Sequence, residues 1–145
     1  MEINTIFTLR KYWNKNGIVS VHTENDINKI LTIKNLALPN DFIFLFKHLN
    51  GMYDQDEEGF HFYKVENLTD MRRRFDLSIN ESLSGIVIFA DYMAESWWYG
   101  VVMKKDLEYE IGIISSSVNF KKISSSFDEF VQLYLVDSPK LYEYK

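Results

Sequence analysis

The stretch "IVIFADY", residues 86–92, constrains the fold of this chain more than any other. Its apolar residues run without a polar alternate, the pattern of a strand covered on both faces. A sheet of this kind needs packing elements on each side. Two further runs of strand length follow, "SWWYGVVMK" at 96–104 and "YEIGIIS" at 109–115, both rich in aromatic and β-branched residues. Trp97 and Trp98 must then point to opposite faces of one strand. Trp97, Tyr99, Val101 and Met103 form the more continuous face and are expected on the main core. Trp98 stands beside Gly100, which leaves room for a ring or a neighbouring chain to approach. It is expected beneath another element of the same chain, with a partner protein as the alternative occupant.

Helices flank these strands. Ile6, Leu9, Arg10 and Trp13 have helical spacing, and Gly17 ends the pattern. "IVSVH", residues 18–22, reads as a short strand or an extended link. Thr23 and Asp26 resemble a capping box with Asp in place of Glu, opening a helix that carries Ile27, Ile30, Leu31 and Lys34. In "LALPNDFIFLFKHLNG", residues 36–51, Pro39 suits the first turn of a helix. Phe42, Leu45, Phe46 and Leu49 form its apolar stripe, and Asn50-Gly51 offers a left-handed stop. "GFHFYKV" at 59–65 reads as a short strand. "ENLTDMRRRF" at 66–75 reads as a helix with Leu68, Met71 and Phe75 on one side, and "LSINESLSG" at 77–85 as a loop. Ser126 and Glu129 make a full capping box before a stripe of Phe127, Phe130, Val131 and Tyr134. Helices, then strands in succession, then a helix predict an α+β fold. No repeat, linker or composition shift divides it, so residues 1–145 read as a single domain. About five or six mostly antiparallel strands are expected, backed by helices.

With 145 residues, such a domain should remove roughly 70% of its unfolded surface from water. There is no cysteine, so disulfides, thiolate catalysis and cysteine zinc sites are excluded. The formal net charge of −5 disfavours nucleic acid and favours a basic partner. "MEINTIFTLRKYWNKNG" has no basic start followed by an apolar core, and no stretch approaches membrane-spanning length. A cytoplasmic location without membrane contact is the expectation.

Chemistry-bearing motifs are sparse. "DQDEEG" at 54–59 imitates the first half of a calcium loop, but the twelfth position is Val65, Glu66 falls one step late, and a strand follows. A solvated acidic turn is the plainer reading, and contact with a basic partner is its functional alternative. His22, His48 and His61 have no metal-ligand spacing. A nucleophile elbow, a phosphate loop and a dinucleotide fingerprint are all absent. Asp91 and Glu95 could act as an acid/base pair, although an Asp after a buried strand ordinarily ends it by bonding nearby backbone. In "MRRRF", Asp70 lies within salt-bridge reach of Arg73 and Arg74, as on a solvated face. No catalytic residue, cofactor or metal is therefore expected.

Three pieces, in order across about residues 38–135, resemble the SUKH superfamily of cell-wall assembly regulators and bacterial toxin-immunity proteins. "LPNDFIFLFKHLNG" is similar to its Leu-Pro, apolar helix, Asn-Gly signature. "IVIFADYMAESWWYGV" is similar to its central strands, and "ISSSFDEFVQLYL" to its closing segment. Residues 52–85 and the N-terminal helix match nothing specific. The resemblance implies a sheet of mixed strand directions backed by helices. It also implies no catalytic activity: bacterial members typically bind and neutralise a cognate toxin, often a nuclease, inside the producing cell. The family's shared residues look structural, so none transfers as an active site. The expected partner is a toxin with a basic domain, met by Asp54, Asp56, Glu57, Glu58, Glu95 and Trp98. A regulatory or scaffold domain with no toxin partner is the alternative. A small-molecule or enzymatic role would need a deep pocket holding paired carboxylates.

Overall fold

A computed structural model of the chain describes residues 2–18, 25–75 and 83–142. Its helices are α1 (Ile3–Lys15), α2 (Ile27–Lys34) and α3 (Asn40–His48), then a short α4 (Met71–Phe75) and α5 (Phe127–Leu135). The strands are β1 (Phe60–Phe62), β2 (Thr69–Asp70), β3 (Val87–Tyr92), β4 (Trp97–Met103), β5 (Tyr109–Ile114) and β6 (Phe120–Ser124). They form one sheet in the order β1-β3-β4-β5-β6, and β1 and β2 share the outer edge of β3. Each pairing is antiparallel. The α+β expectation holds, with no parallel pair among the described residues.

The apolar run at 86–92 is covered on both faces, as its composition demands. The register between β3 and β4 shifts between Ile88 and Ala90, so Phe89 has no opposite number. That bulge turns both Phe89 and Ala90 into the main core with Val87. Ile86 and Ile88 go to the other side, where Met71, Trp98 and Ile114 complete a second, smaller core. The main core packs Ile6, Leu9 and Trp13 of α1 and Phe42, Leu45 and Phe46 of α3 against the sheet, together with Phe127, Phe130, Val131 and Tyr134 of α5. The stripes read from the sequence are thus the buried ones.

Local starts and stops differ in detail. The N-cap of α2 is Asp26, whose side chain accepts from Lys29 N; Thr23 lies outside the described residues, as does most of 18–22. Pro39 is the residue just before α3, and the helix ends at His48 with Leu49 already extended. Gly51 follows at φ 71°, and a Cβ there would sit 2.5 Å from the Tyr63 carbonyl. Asn50 does more than stop a helix. Its side chain accepts from Val65 N at 2.7 Å and donates to Glu66 at 2.9 Å, tying α3 to the segment after β1. Residues 66–70 are not helical: a 3-10 turn at Val65–Asn67 leads into β2, and α4 begins only at Met71. Of the loop at 77–85, residues 77–82 lie outside the described residues. Ser126 caps α5 as expected, accepting from Glu129 N at 3.1 Å.

Candidate functional site

The acidic loop between α3 and β1 is built around one buried carboxylate. Asp56 is 8% exposed; its Oδ1 accepts from Phe60 N at 2.9 Å, and its Oδ2 from the Tyr134 hydroxyl at 2.7 Å. Trp13 Nε1 donates in turn to Tyr134 at 3.2 Å, so α1, α5 and the loop converge on this group. An Asp whose side chain bonds backbone a few residues on is the normal device for fixing a turn. Asp56 is therefore not a partner-facing residue: both oxygens are engaged inside the chain. Because it is fixed, Asp54, Glu57 and Glu58 stand exposed around it, beside Tyr53 at 67% exposure. A groove of about 270 Å³ separates residues 53–57 from residues 16–18 after α1.

The turn from β3 to β4 joins this loop through Met93 N, which donates to Gly59 O at 2.9 Å. Three successive residues of the turn, Met93, Ala94 and Glu95, adopt left-handed backbone, which L-residues do at a cost. Glu95 is exposed and pairs with Arg74 at 3.1 Å. At the same end, Tyr92 and Trp97 stack at 4.6 Å, and Tyr142 meets Tyr92 edge-on at 5.2 Å and Trp97 at 6.2 Å. All three rings are half-buried. Tyr142 donates to Asp137, a carboxylate absent from the set expected for the partner surface. The Tyr12 phenol is raised above its ordinary pKa by burial first and then by Asp56, Glu58 and Asp137. The Tyr92 phenol is raised by burial and then by Asp137 and Glu58. Two tyrosines on different elements thus register one negative field.

The two tryptophans of β4 take opposite places, in a different sense from a partner-facing Trp98. Trp98 is 6% exposed and lies under α4, with Phe75 edge-on at 4.9 Å and the Arg74 guanidinium 5.1 Å from its ring centre. Burial beneath the same chain is the first of the two expectations for Trp98, and it follows from the sheet being covered on both faces. The space at Gly100 is filled internally: a Cβ there would lie 2.6 Å from Ile86 and 2.9 Å from Ile114. Trp97, at the edge of the main core, is the tryptophan that reaches the surface, donating its Nε1–H to Tyr99 at 2.9 Å.

Beside Trp98 is a cavity of about 290 Å³, lined among others by His61, Tyr63, Arg74, Asp91 and Glu95. Tyr63 donates to Asp91 at 2.5 Å, and its phenol is raised far above the ordinary tyrosine range by burial first and by that carboxylate second. Asp91 and Glu95, imaginable as an acid/base pair, are each engaged with another group. Among the described residues, no three His, Asp or Glu side chains are placed to hold a metal ion, and no helix is long and apolar enough to cross a membrane.

The family model described as SMI1 / KNR4 family (SUKH-1) matches residues 22–133, more than three quarters of the chain. The match contains the acidic loop, the β3–β4 turn and the cavity, and stops short of Asp137 and Tyr142. No curated protein matches the chain.

Proposed function

Because the chain belongs to the SMI1/KNR4 family (SUKH-1), we propose that it is a non-enzymatic immunity protein that neutralises a cognate bacterial toxin by direct binding in the cytoplasm. One observation carries the reading. Glu58 and Asp137 bear on the half-buried ring of Tyr92, which clusters with Trp97 and Tyr142, and the exposed Asp54 and Glu57 belong to the same loop as Glu58. Interfaces concentrate their energy in such aromatic anchors, while like-signed charge at the rim speeds encounter with a partner of opposite sign. A toxin that cleaves nucleic acid must carry a basic surface to hold phosphates. An acidic end with aromatic anchors matches that surface and occludes it. Membership supports a protein-binding role and the acidic surface favours a partner with a basic domain, properties that a nuclease-type toxin combines. The proposed binding set differs from the one read off the sequence: Asp56, Glu95 and Trp98 leave it, and Asp137, Tyr92, Trp97 and Tyr142 enter.

The test is affinity capture from lysate of the source cells with the whole chain as bait, read by mass spectrometry. The expected result is one retained protein bearing a small basic domain, lost when Asp54→Lys, Glu57→Lys and Glu58→Lys are combined. Asp56 is left untouched because its carboxylate holds the loop. Retention of housekeeping proteins without a toxin-like chain would replace this reading with a regulatory or scaffold role. Retention indifferent to the three reversals would overturn the assignment of the surface.

A further inference from the structure

The cavity on the second face of the sheet has its own unmet chemistry. The register sets His61 opposite Asp91 and Asp91 opposite Trp98, so the three side chains form a row across β1, β3 and β4 on the face away from the main core. The cavity of about 290 Å³ beside them lies at the lower limit of small-molecule sites and suits one inserted side chain. Its charges do not balance. Asp91 is 5% exposed, and its Oδ2 accepts from the Tyr63 hydroxyl. Among the described residues it has no cationic partner, because Arg74 pairs with Glu95 instead. A single phenol hydrogen bond only partly offsets the desolvation of a carboxylate, and a paired cation would do so more fully.

A second group in the wall is also incomplete. Trp98 Nε1 has no acceptor among the described residues. The face of the same indole already receives a guanidinium, that of Arg74, at 5.1 Å, which shows what this wall accepts. Among the described residues no three groups are placed to hold a metal ion, and the guanidinium already seated on the indole favours an organic cation. A peptide segment carries both complements, a cationic head and backbone carbonyls. The cavity also adjoins the acidic end through Glu95, which belongs to the turn that Met93 ties to the loop at Gly59.

We propose that this cavity seats a basic side chain, arginine above lysine, presented by the bound protein, with its cationic head paired to Asp91. The proposal rests on the protein-binding reading above. Arginine is preferred because its planar fork can meet a carboxylate with two bonds while stacking on an indole. Arg74 keeps Glu95 occupied, and the entering head takes Asp91.

The test needs no partner protein. The whole chain, labelled with ¹⁵N, is titrated with N-acetyl-arginine amide while the indole N–H signals of Trp13, Trp97 and Trp98 are followed. The Trp98 signal should move and saturate while Trp13 stays fixed, and the uncharged isostere N-acetyl-citrulline amide should leave Trp98 unmoved. Asp91→Asn should weaken the arginine response about tenfold or more, as expected for loss of a charge-assisted pair. Should that variant fail to fold, Tyr63→Phe carries the test: freeing Asp91 from its phenol should tighten the response. A static Trp98 signal, an equal response to the citrulline analogue, an undiminished response in Asp91→Asn or an unimproved one in Tyr63→Phe would each overturn the proposal. Such a failure beside successful toxin capture removes the cavity alone and leaves the docking end standing. A saturable arginine response from a chain that captures no protein overturns the protein source of the side chain and, with it, the docking reading.

Discussion

At the scale of single residues, neighbouring carboxylates in one acidic run have opposite jobs. Asp56 satisfies two buried donors, Phe60 N and the Tyr134 hydroxyl, whereas Asp54 and Glu57 face water. Asp56→Ala strands both donors and should cost about 3 kcal/mol. Asp54→Ala and Glu57→Ala should each stay within about 0.5 kcal/mol. Urea midpoints of the three variants check this; equal losses at all three positions would contradict the division of roles. The run itself is legible in the sequence, but this division is not, because the deciding partner of Asp56 lies 78 residues away on α5. Asp137 is hidden for a similar reason: only folding brings the end of α5 beside the loop. Gly100 is a second residue with a definite load. Gly100→Ala would drive a methyl into Ile86 and Ile114 and should destabilise by about 1–3 kcal/mol. A thermal midpoint unchanged by the substitution would show that the second core has slack at that point.

At the scale of elements, the turn from β3 to β4 is the strained one. Ala94 is exposed and held at φ 51° between two other left-handed residues. Ala94→Gly relieves that strain and should raise stability by about 0.5 to 1 kcal/mol, despite the added entropy of the unfolded chain. A lower urea midpoint would mean that the left-handed conformation is not held in solution. Elements whose signal is periodic burial, namely α1, α3, α5 and strands β3 to β5, are readable from sequence alone. Elements set by distant contacts are not. "ENLTDMRRRF" has helical spacing at Leu68, Met71 and Phe75, yet Thr69 and Asp70 pair with Ile88 and Val87 of β3 and delay the helix to Met71. β6, "FKKIS", has two exposed lysines at its centre and is a strand because β5 pairs with it, not because its own pattern insists. The same limit applies to the candidate site. Adjacent tryptophans on a strand must face opposite ways, but which of them reaches solvent depends on α4 covering one face and on the sheet ending beside the other.

At the scale of the whole molecule, the core is threaded with buried phenols, and this fixes how the fold responds to alkali. Burial raises Tyr63, Tyr99, Tyr109 and Tyr134 above the ordinary tyrosine value. A group with a raised folded pKa keeps its full stabilising effect below the unfolded value and loses it as pH climbs past that value. Stability should therefore be level up to about pH 9 and fall above about pH 10. Tyr99 and Tyr134 together contribute a slope of roughly 3 kcal/mol per pH unit there. Tyrosinate absorbance should appear cooperatively with unfolding; gradual ionisation of a chain that stays folded would contradict the buried positions. The surface tells the complementary story: Asp54, Glu57 and Glu58 stand exposed on the loop held by the buried Asp56. The central claim is that this surface neutralises a basic toxin, and growth rescue tests it most directly. The captured partner is expressed alone, with the wild-type chain, and with the folded Asp54→Lys/Glu57→Lys/Glu58→Lys variant. The account predicts arrest alone, growth with the wild-type chain and arrest with the variant; a harmless partner, or full rescue by the variant, would contradict it.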